Sequence, residues 1–349
     1  MWIIGCDYHP RFQQISMVNT EGGECGQRRL AHKAEAERFY RGLAGEAVRV
    51  GMEASGHARW FERLLAELGH ELWIGNPAAI RAAAPRKQKT DARDAEHLLQ
   101  LLVSGQFEKL RIWVPTAAER DVRQLVMHRH RLIGMRTRVK NQLRAIALNE
   151  GMERKPGLWS QAGQEQFQAL ELPAWTGRRR QDNLELLAEL ERRTDPLDQA
   201  VEQEAVRRPE AARLMTHPGV GKVTALAFVL TLGDPARFAC GKQVASYLGL
   251  IPAEDSSGGK QRLGHLTKQG NALLRGLLVE AAHVAARHEP DLGRCYRRLA
   301  MRKNRAIAAV AVARKLAIRL WWMWRRECNY GQLRASGSHA GETRVPPLG

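Results

Sequence analysis

Two aspartates three residues apart, Asp91 and Asp94, open a helical run from Ala95 to Leu102 that carries Leu98, Leu99, Leu101 and Leu102. Thr90 is a suitable N-cap for that run. Positions i and i+3 share a helix face, so both carboxylates point to the same side of the first turn. Carboxylates held together repel unless a cation lies between them. A hard divalent metal, Mg²⁺ (or Mn²⁺), meets that need: it takes oxygen ligands from one or two carboxylates and keeps positions for phosphate oxygens. The pair also suits a metal-free helix start, with Asp91 favouring the positive end of the helix dipole and Asp94 solvated. Other acids arriving at the same place would decide for the metal.

The elements around the pair bring two such acids. Trp2-Ile3-Ile4-Gly5-Cys6 reads as a buried strand ending at Asp7. A second strand over Gln14–Val18 follows, with a hairpin turn at 19–23 and a weaker third strand from Cys25 to Leu30. Ala34–Leu43 is helical, Val48–Met52 is a strand ending at Glu53, and His57–Leu68 has its apolar residues at helical spacing. Another strand, Glu71–Ile74, precedes the Asp91 helix. The order βββαβαβα is that of a ribonuclease-H-like α/β domain, in which the first and fourth strands are neighbours. Asp7, Glu53, Asp91 and Asp94 are then expected to converge at one sheet edge. Four carboxylates cannot stay ionised together without cations, and two bound metals can align a phosphodiester for in-line attack.

Composition narrows the partner. The 349 residues hold 55 Lys+Arg against 37 Asp+Glu, a net charge of +18, which suits a polyanion, most commonly nucleic acid. Basic clusters include Arg86, Lys87 and Lys89 just before the Asp91 helix. The five cysteines are odd in number and lack C-x-x-C spacing, which speaks against a disulfide framework or a structural zinc. No apolar run of about 18 residues and no signal peptide is visible, so no membrane role and a cytoplasmic location are expected.

Beyond residue 110 the pattern changes. From Glu119 to Asn149 there is almost no Gly or Pro, and Leu125, Leu132, Val139 and Ile146 recur every seven residues among arginines and histidines. This predicts a long basic helix with a narrow apolar seam, coiled-coil-like, able to pack within the chain or between chains. A second helix is expected from about Asn183 to Val206, with Pro196 kinking or breaking it. Thr216–Ala225 reads as a helix-hairpin-helix-like turn: Gly219 and Gly221 would free backbone N–H groups, and Lys222 would add a cation, to meet a phosphate. The stretch from Gly249 to Lys260 reads as an exposed Ser/Gly loop, with Lys260, Arg262, His265, Lys268 and Arg275 supplying charge for phosphate. Helices follow over 271–286 and 306–324, with Trp321, Trp322 and Trp324 as core or interface residues. The tail from Asn329 is aperiodic and reads as disordered. The domains expected are 1–110 (α/β), 111–205 (coiled-coil helical), 206–328 (mainly helical) and the tail 329–349.

Three features coincide: Asp7, Glu53 and Asp91-x-x-Asp94 in ribonuclease-H-like order; the Pro218-Gly219-Val220-Gly221 hairpin; and Gly249-Leu250-Ile251-Pro252 followed by Ser257-Gly258 and Lys268-Gln269-Gly270-Asn271 with Leu274-Arg275. Together, over residues 1–328, they resemble the DEDD insertion-sequence transposases described as bridge-RNA-guided serine recombinases. The resemblance implies a RuvC-like N-terminal domain, a coiled-coil middle and a C-terminal transposase domain. It carries the four acids to Asp7, Glu53, Asp91 and Asp94 and the nucleophilic serine to Ser257, with Ser256 as the neighbouring alternative. It implies attack by the serine on a DNA phosphodiester, a phosphoserine intermediate and a metal-assisted site composed of both domains. It further implies a homo-oligomer (dimer or tetramer) on target and donor DNA, a structured guide RNA from the element, and a bacterial, nucleoid-associated location when bound. Two other readings stay open: a junction-resolvase-like endonuclease acting by water attack, and a non-catalytic nucleic-acid-binding protein.

Overall fold

The N-terminal α/β domain follows from side chains that alternate across a strand. The computed structural model describes residues 1–84, 90–152, 157–254 and 262–335. Two compact units divide the chain, Met1–Val114 and Pro115–Gly349. In the first, strands β1 (Trp2–Tyr8), β2 (Phe12–Asn19) and β3 (Cys25–Ala31) form an antiparallel meander, followed by helix α1 (Ala34–Arg41) and strand β4 (Val48–Glu53). Helix α2 (Arg59–Glu67), strand β5 (Glu71–Gly75) and helices α3 (Pro77–Ala82), α4 (Asp91–Val103) and α5 (Phe107–Leu110) complete it. The sheet order is β3-β2-β1-β4-β5, with β1, β4 and β5 parallel.

Ile4 and Cys6 of β1, Val48, Val50 and Met52 of β4, and Ile74 of β5 face one way and pack with Tyr40 of α1 and Phe61, Leu64 and Leu65 of α2. Ile3 and Trp73 face the other way and pack with Leu98, Leu101 and Leu102 of α4 and Phe107 of α5. The result is a sheet covered on both faces, as parallel strands require. Asp7, in alternation with Ile3 and Gly5, falls on the α4 face, and Glu53, in alternation with Gly51, falls there too.

The second unit begins with α6 (Ala117–Asn149), opened by a capping box in which the Thr116 hydroxyl accepts from the Glu119 backbone N–H and the Glu119 carboxylate accepts in return. Helices α7 (Gln161–Ala169) and α8 (Ala174–Val206) follow. Two helices of 33 residues each, α6 and α8 run antiparallel, with Leu132, Val139, Leu143 and Ile146 of the first against Leu187 and Leu190 of the second. Arg129–Asp198 and Lys140–Glu191 ion pairs flank the seam. The α8 helix starts at Ala174, ahead of the position expected from its leucines, and runs through Pro196 without a break. The proline's missing N–H falls in a helix whose Leu187, Leu190, Thr194 and Val201 are all buried, and that burial outweighs one lost hydrogen bond.

The remainder is a helical bundle: α9 (Pro209–Met215), α10 (Lys222–Leu232), α11 (Gly241–Tyr247), a short hairpin of β6 (Pro252–Glu254) and β7 (Leu263–Leu266), then α12 (Ala272–His288), α13 (Pro290–Arg302), α14 (Arg305–Arg325) and α15 (Tyr330–Ala335). Every residue of α10 from Thr224 to Leu232 is buried, which makes it the central helix of the bundle. Val126 of α6 and Val201 and Ala205 of α8 belong to the same core, so the long helices are rooted in the bundle. The α15 helix lies in the stretch that composition reads as a disordered tail. Its Leu333 is buried in that core, and the Tyr330 N–H donates to the Thr216 hydroxyl. Two anchoring side chains, Tyr330 and Leu333, in a polar tail leave too little periodicity to read.

Candidate active site

The site is positioned by glycine. A Cβ at Gly5 would lie 2.3 Å from the Ala95 carbonyl oxygen and 2.4 Å from the Leu99 nitrogen, and one at Gly51 would lie 2.7 Å from the Leu102 side chain. Gly5 and Gly51 are register partners on β1 and β4. The missing side chains form a trough in the sheet, and α4 lies in it in direct backbone contact. Its first turn is thereby brought to the end of β1, where Asp7 stands. Thr90 caps the helix as expected, its hydroxyl accepting from the Arg93 N–H at 3.3 Å.

Among the described residues, the metal-ligating groups whose ligand atoms all lie within 4.8 Å of one another are Asp7, His9 and Asp91. His9 Nε2 sits 2.9 Å from Asp7 Oδ2 and 3.6 Å from Asp91 Oδ1, and its ring stacks on Phe12 at 4.6 Å between centroids. Burial pushes the Asp7 carboxyl above the usual carboxylate range; the adjacent His9 pulls it back, and the Asp94 and Asp91 charges push it up further. Asp94 is therefore close enough to act on Asp7 through charge. Glu53 ends β4 one residue beyond the last β1–β4 register pair, Cys6 with Met52, and so stands beside Asp7 at the same sheet edge. Neither Asp94 nor Glu53 is part of the tight three-residue group.

The structure thus brings Asp7 and Asp91 together, keeps Asp94 and Glu53 at the same edge, and adds His9. Sequence reasoning missed His9, for which the signal was an Asp-x-His step at a strand end: residues i and i+2 share a strand face. Two carboxylates and an imidazole fit a divalent cation that keeps water or phosphate in its remaining positions. The raised Asp7 pKa is mainly a consequence of burial, with the Asp94 and Asp91 charges adding to it.

In the second unit, Ser257, the alternative Ser256 and Lys260 lie outside the described residues, as do Arg86, Lys87 and Lys89 in the first. The frame that holds the serine stretch is described. Gly249, at φ 65°, and Gly270, at φ 77°, mark a crossing of two loops: a Cβ on the first would be 2.1 Å from the Gln269 carbonyl oxygen, and on the second 2.1 Å from the Tyr247 carbonyl oxygen. Only glycine satisfies both the left-handed backbone and the close approach. The crossing clamps the entry to β6 against the exit from β7, and Pro252 pairs with Leu266 across the hairpin.

The residues expected to meet phosphate fare differently. Arg275 is turned inward, its Nη1 donating to the carbonyls of Gln269 at 2.7 Å and of Leu248 and Gly270 at 3.3 Å, so it braces the loop crossing. Gly219, at φ 86°, lets the α9–α10 turn touch α12: a Cβ would sit 2.6 Å from the Ala281 carbonyl oxygen. Gly221 is the N-cap of α10, and Lys222 pairs with Glu202 at 2.6 Å. Packing accounts for Gly219 and Arg275 without a ligand. Arg262 and Lys268 are exposed.

A sheet of this order, carrying carboxylates at the ends of adjacent parallel strands and on the helix that crosses them, defines a ribonuclease-H-like, DEDD-type nucleic-acid-processing domain. A family model of DEDD transposases of the IS110 type matches residues 4–151, and a model described as the transposase IS116/IS110/IS902 family matches residues 211–297. The chain is 31% identical to a probable family 20 transposase of Pseudomonas aeruginosa, over 94% of this chain and 98% of that one. It is 28% identical to the transposase for insertion sequence element IS1111A of Coxiella burnetii, over 80% and 79% of the two chains. The transposase for element IS1328 of Yersinia enterocolitica is likewise 28% identical, over 78% and 82%. The chain belongs to the IS110 family of DEDD insertion-sequence transposases. It is a DNA-processing enzyme, and no helix among the described residues is long and apolar enough to cross a membrane.

Proposed function

We propose that this transposase recombines DNA through a covalent phosphoserine, with Ser257 as nucleophile and the Asp7–Asp91 site, supported by Glu53 and Asp94, holding Mg²⁺ or Mn²⁺. The observation that carries the reading is the presence of two separately built frames. One is a glycine trough that places carboxylates and an imidazole at a sheet edge, and the other a glycine crossing that braces the loop leading to the paired serines. When bound, the metal would supply charge neutralisation at the phosphate oxygens. Ser257 Oγ attacks phosphorus, the P–O bond to the leaving strand breaks, the serine proton passes to a base, and the leaving strand departs as a free hydroxyl. A hydroxyl of the exchanged strand then attacks the phosphoserine, restoring the serine and resealing the DNA. The phosphodiester count is conserved, so no nucleotide cofactor is required.

The basic chain, net +18, supports binding of target and donor DNA and of a structured guide RNA from the element, recognised through backbone and shape. The seam between α6 and α8, filled within the chain, supports a coiled-coil-like middle region, and assembly as a homo-oligomer on DNA is part of the same proposal. The deciding experiment incubates the protein, element-end RNA and Mg²⁺ with nicked target and donor DNA, then separates the products on a denaturing protein gel. A DNA-shifted band absent from Ser257→Ala and Asp91→Ala is expected. Cleavage without an adduct, retained in Ser257→Ala, would replace this reading with metal-dependent hydrolysis by water.

A further inference from the structure

Beside the β6–β7 hairpin lies a cavity of about 820 Å³, within the range of ~300–1,000 Å³ at which pockets hold small organic groups. Its interior is aliphatic: Leu250, Leu299, Val310 and Ile318 line it, together with Cys240 and Cys295. Its rim is cationic, formed by Lys242, Lys268, Arg298, Arg314 and Lys315. No described carboxylate lines it, and none of those five cations takes part in an ion pair among the described residues. The pattern contrasts with α6 and α8, whose Arg129 and Lys140 are matched by Asp198 and Glu191.

Two further features mark the place. Lys268 holds a left-handed φ of 53°, a conformation that side chains other than glycine rarely adopt, and it does so between β7 and the Gly249–Gly270 crossing. Ile307 at the mouth is 48% exposed, an apolar side chain left uncovered among cations. The α13–α14 turn next to it continues the charge with Arg302, Lys303 and Arg305, all exposed.

An apolar interior with a cationic rim matches one ligand chemistry: a flat, weakly polar base attached to phosphates. We propose that this cavity receives a single nucleotide unstacked from the DNA strand, its base inside and its flanking phosphates on Arg298, Arg314, Lys315 and Lys268. Both hairpin strands line the cavity, through Pro252 of β6 and His265 and Leu266 of β7, the two strands that flank Ser257 in sequence. The choice of DNA over RNA rests on the recombinase reading of that serine. Extruding a base disrupts its stacking, which is easiest where the duplex is nicked or already open, so the pocket would favour strands in the course of exchange.

The test uses oligonucleotides spanning the element end, nicked or single-stranded, with 2-aminopurine placed at each position in turn. No Phe, Tyr or Trp among the described lining residues stacks on and quenches the probe, so emission is expected to rise about fivefold or more at one position and to stay flat elsewhere. Ala311→Phe, which fills the cavity from α14, is expected to abolish the rise while anisotropy shows affinity kept within about twofold. The pair Arg314→Ala with Lys315→Ala is expected to reduce the salt slope of DNA binding by about two, one for each phosphate no longer neutralised. Flat emission at every position, or an undiminished rise in Ala311→Phe, would overturn the proposal. A rise with the matching RNA strands alone would overturn the assignment to DNA. A change of oligomeric state in Ala311→Phe, with the emission rise intact, would make the cavity an interface between copies of the chain. A rise without any serine adduct would keep the pocket and sink the phosphoserine reading; an adduct with flat emission would do the reverse.

Discussion

At the scale of single residues, the carboxylate site depends as much on what is missing as on what is present. Gly5 admits α4 to backbone contact, so Gly5→Ala forces the helix outward or the strand aside. The expected cost is about 3 kcal/mol of stability, together with loss of divalent-metal binding, measured by chemical denaturation and calorimetric titration. A variant that folds stably and binds metal normally would show that the trough has slack. His9 is the other test. Imidazole suits Mn²⁺ better than Mg²⁺, whereas carboxylates serve both. His9→Ala is therefore expected to weaken Mn²⁺ about tenfold and Mg²⁺ less, in titrations of the RNA-free protein. Equal losses for both metals would leave His9 as a counter-charge to Asp7 and nothing more. The placement of Asp7 and Glu53 at strand ends and of Asp91 and Asp94 at a helix start was legible before any fold was known, because such positions can be read from alternation and capping. His9 was passed over, because its one local signal, the Asp-x-His step at a strand end, does not by itself say that the histidine turns back towards its aspartate.

At the scale of elements, the α9–α10 turn makes a pH-dependent joint. His217, 1% exposed, donates from Nδ1 to the Pro218 carbonyl at 2.9 Å, while Nε2 is buried without a hydrogen-bond partner among the described residues. Burial depresses its pKa to about 4 from the ordinary histidine value of 6.5. The unfolded chain therefore binds more protons than the folded one between those values, and stability is complete above pH 6.5 and is lost as pH falls towards 4. The loss attributable to this residue between pH 8 and pH 5 is about 2 kcal/mol, at roughly 1.36 kcal/mol for each pH step below 6.5. Thermal melts across that range should show it, and His217→Gln should flatten the curve. A curve equally steep in the variant would assign the acid sensitivity elsewhere. The glycine turn beside His217 was visible in the sequence. That Gly219 serves a close approach to α12, and that Arg275 braces a loop crossing, was not, because each depends on a neighbour far along the chain.

At the scale of the whole molecule, the net charge of +18 sets the response to salt. If the protein neutralises about six to ten phosphates, its DNA affinity should fall by ~10³–10⁵ between roughly 50 and 200 mM salt, log-linearly, in anisotropy titrations. A flat response would mean that the arginines are a trait of composition with no role in binding. The basic residues are also unevenly employed. Those on α6 and α8 are partly matched by acids, whereas those around the hairpin cavity stay unmatched among the described residues.

From sequence alone, the order of strands and helices, the α/β-then-helical division, the position of four acids at strand ends and a helix start, and the basic character could be read, because each follows from periodicity, capping or counting along a local stretch. Tertiary structure decided which of those residues meet. Register set Asp7 beside the end of β4, the Gly5–Gly51 trough brought Asp91 to it, and the bundle core claimed α15 and the roots of α6 and α8. Such meetings are fixed by packing between positions far apart in the chain, and a linear pattern carries no distance across them.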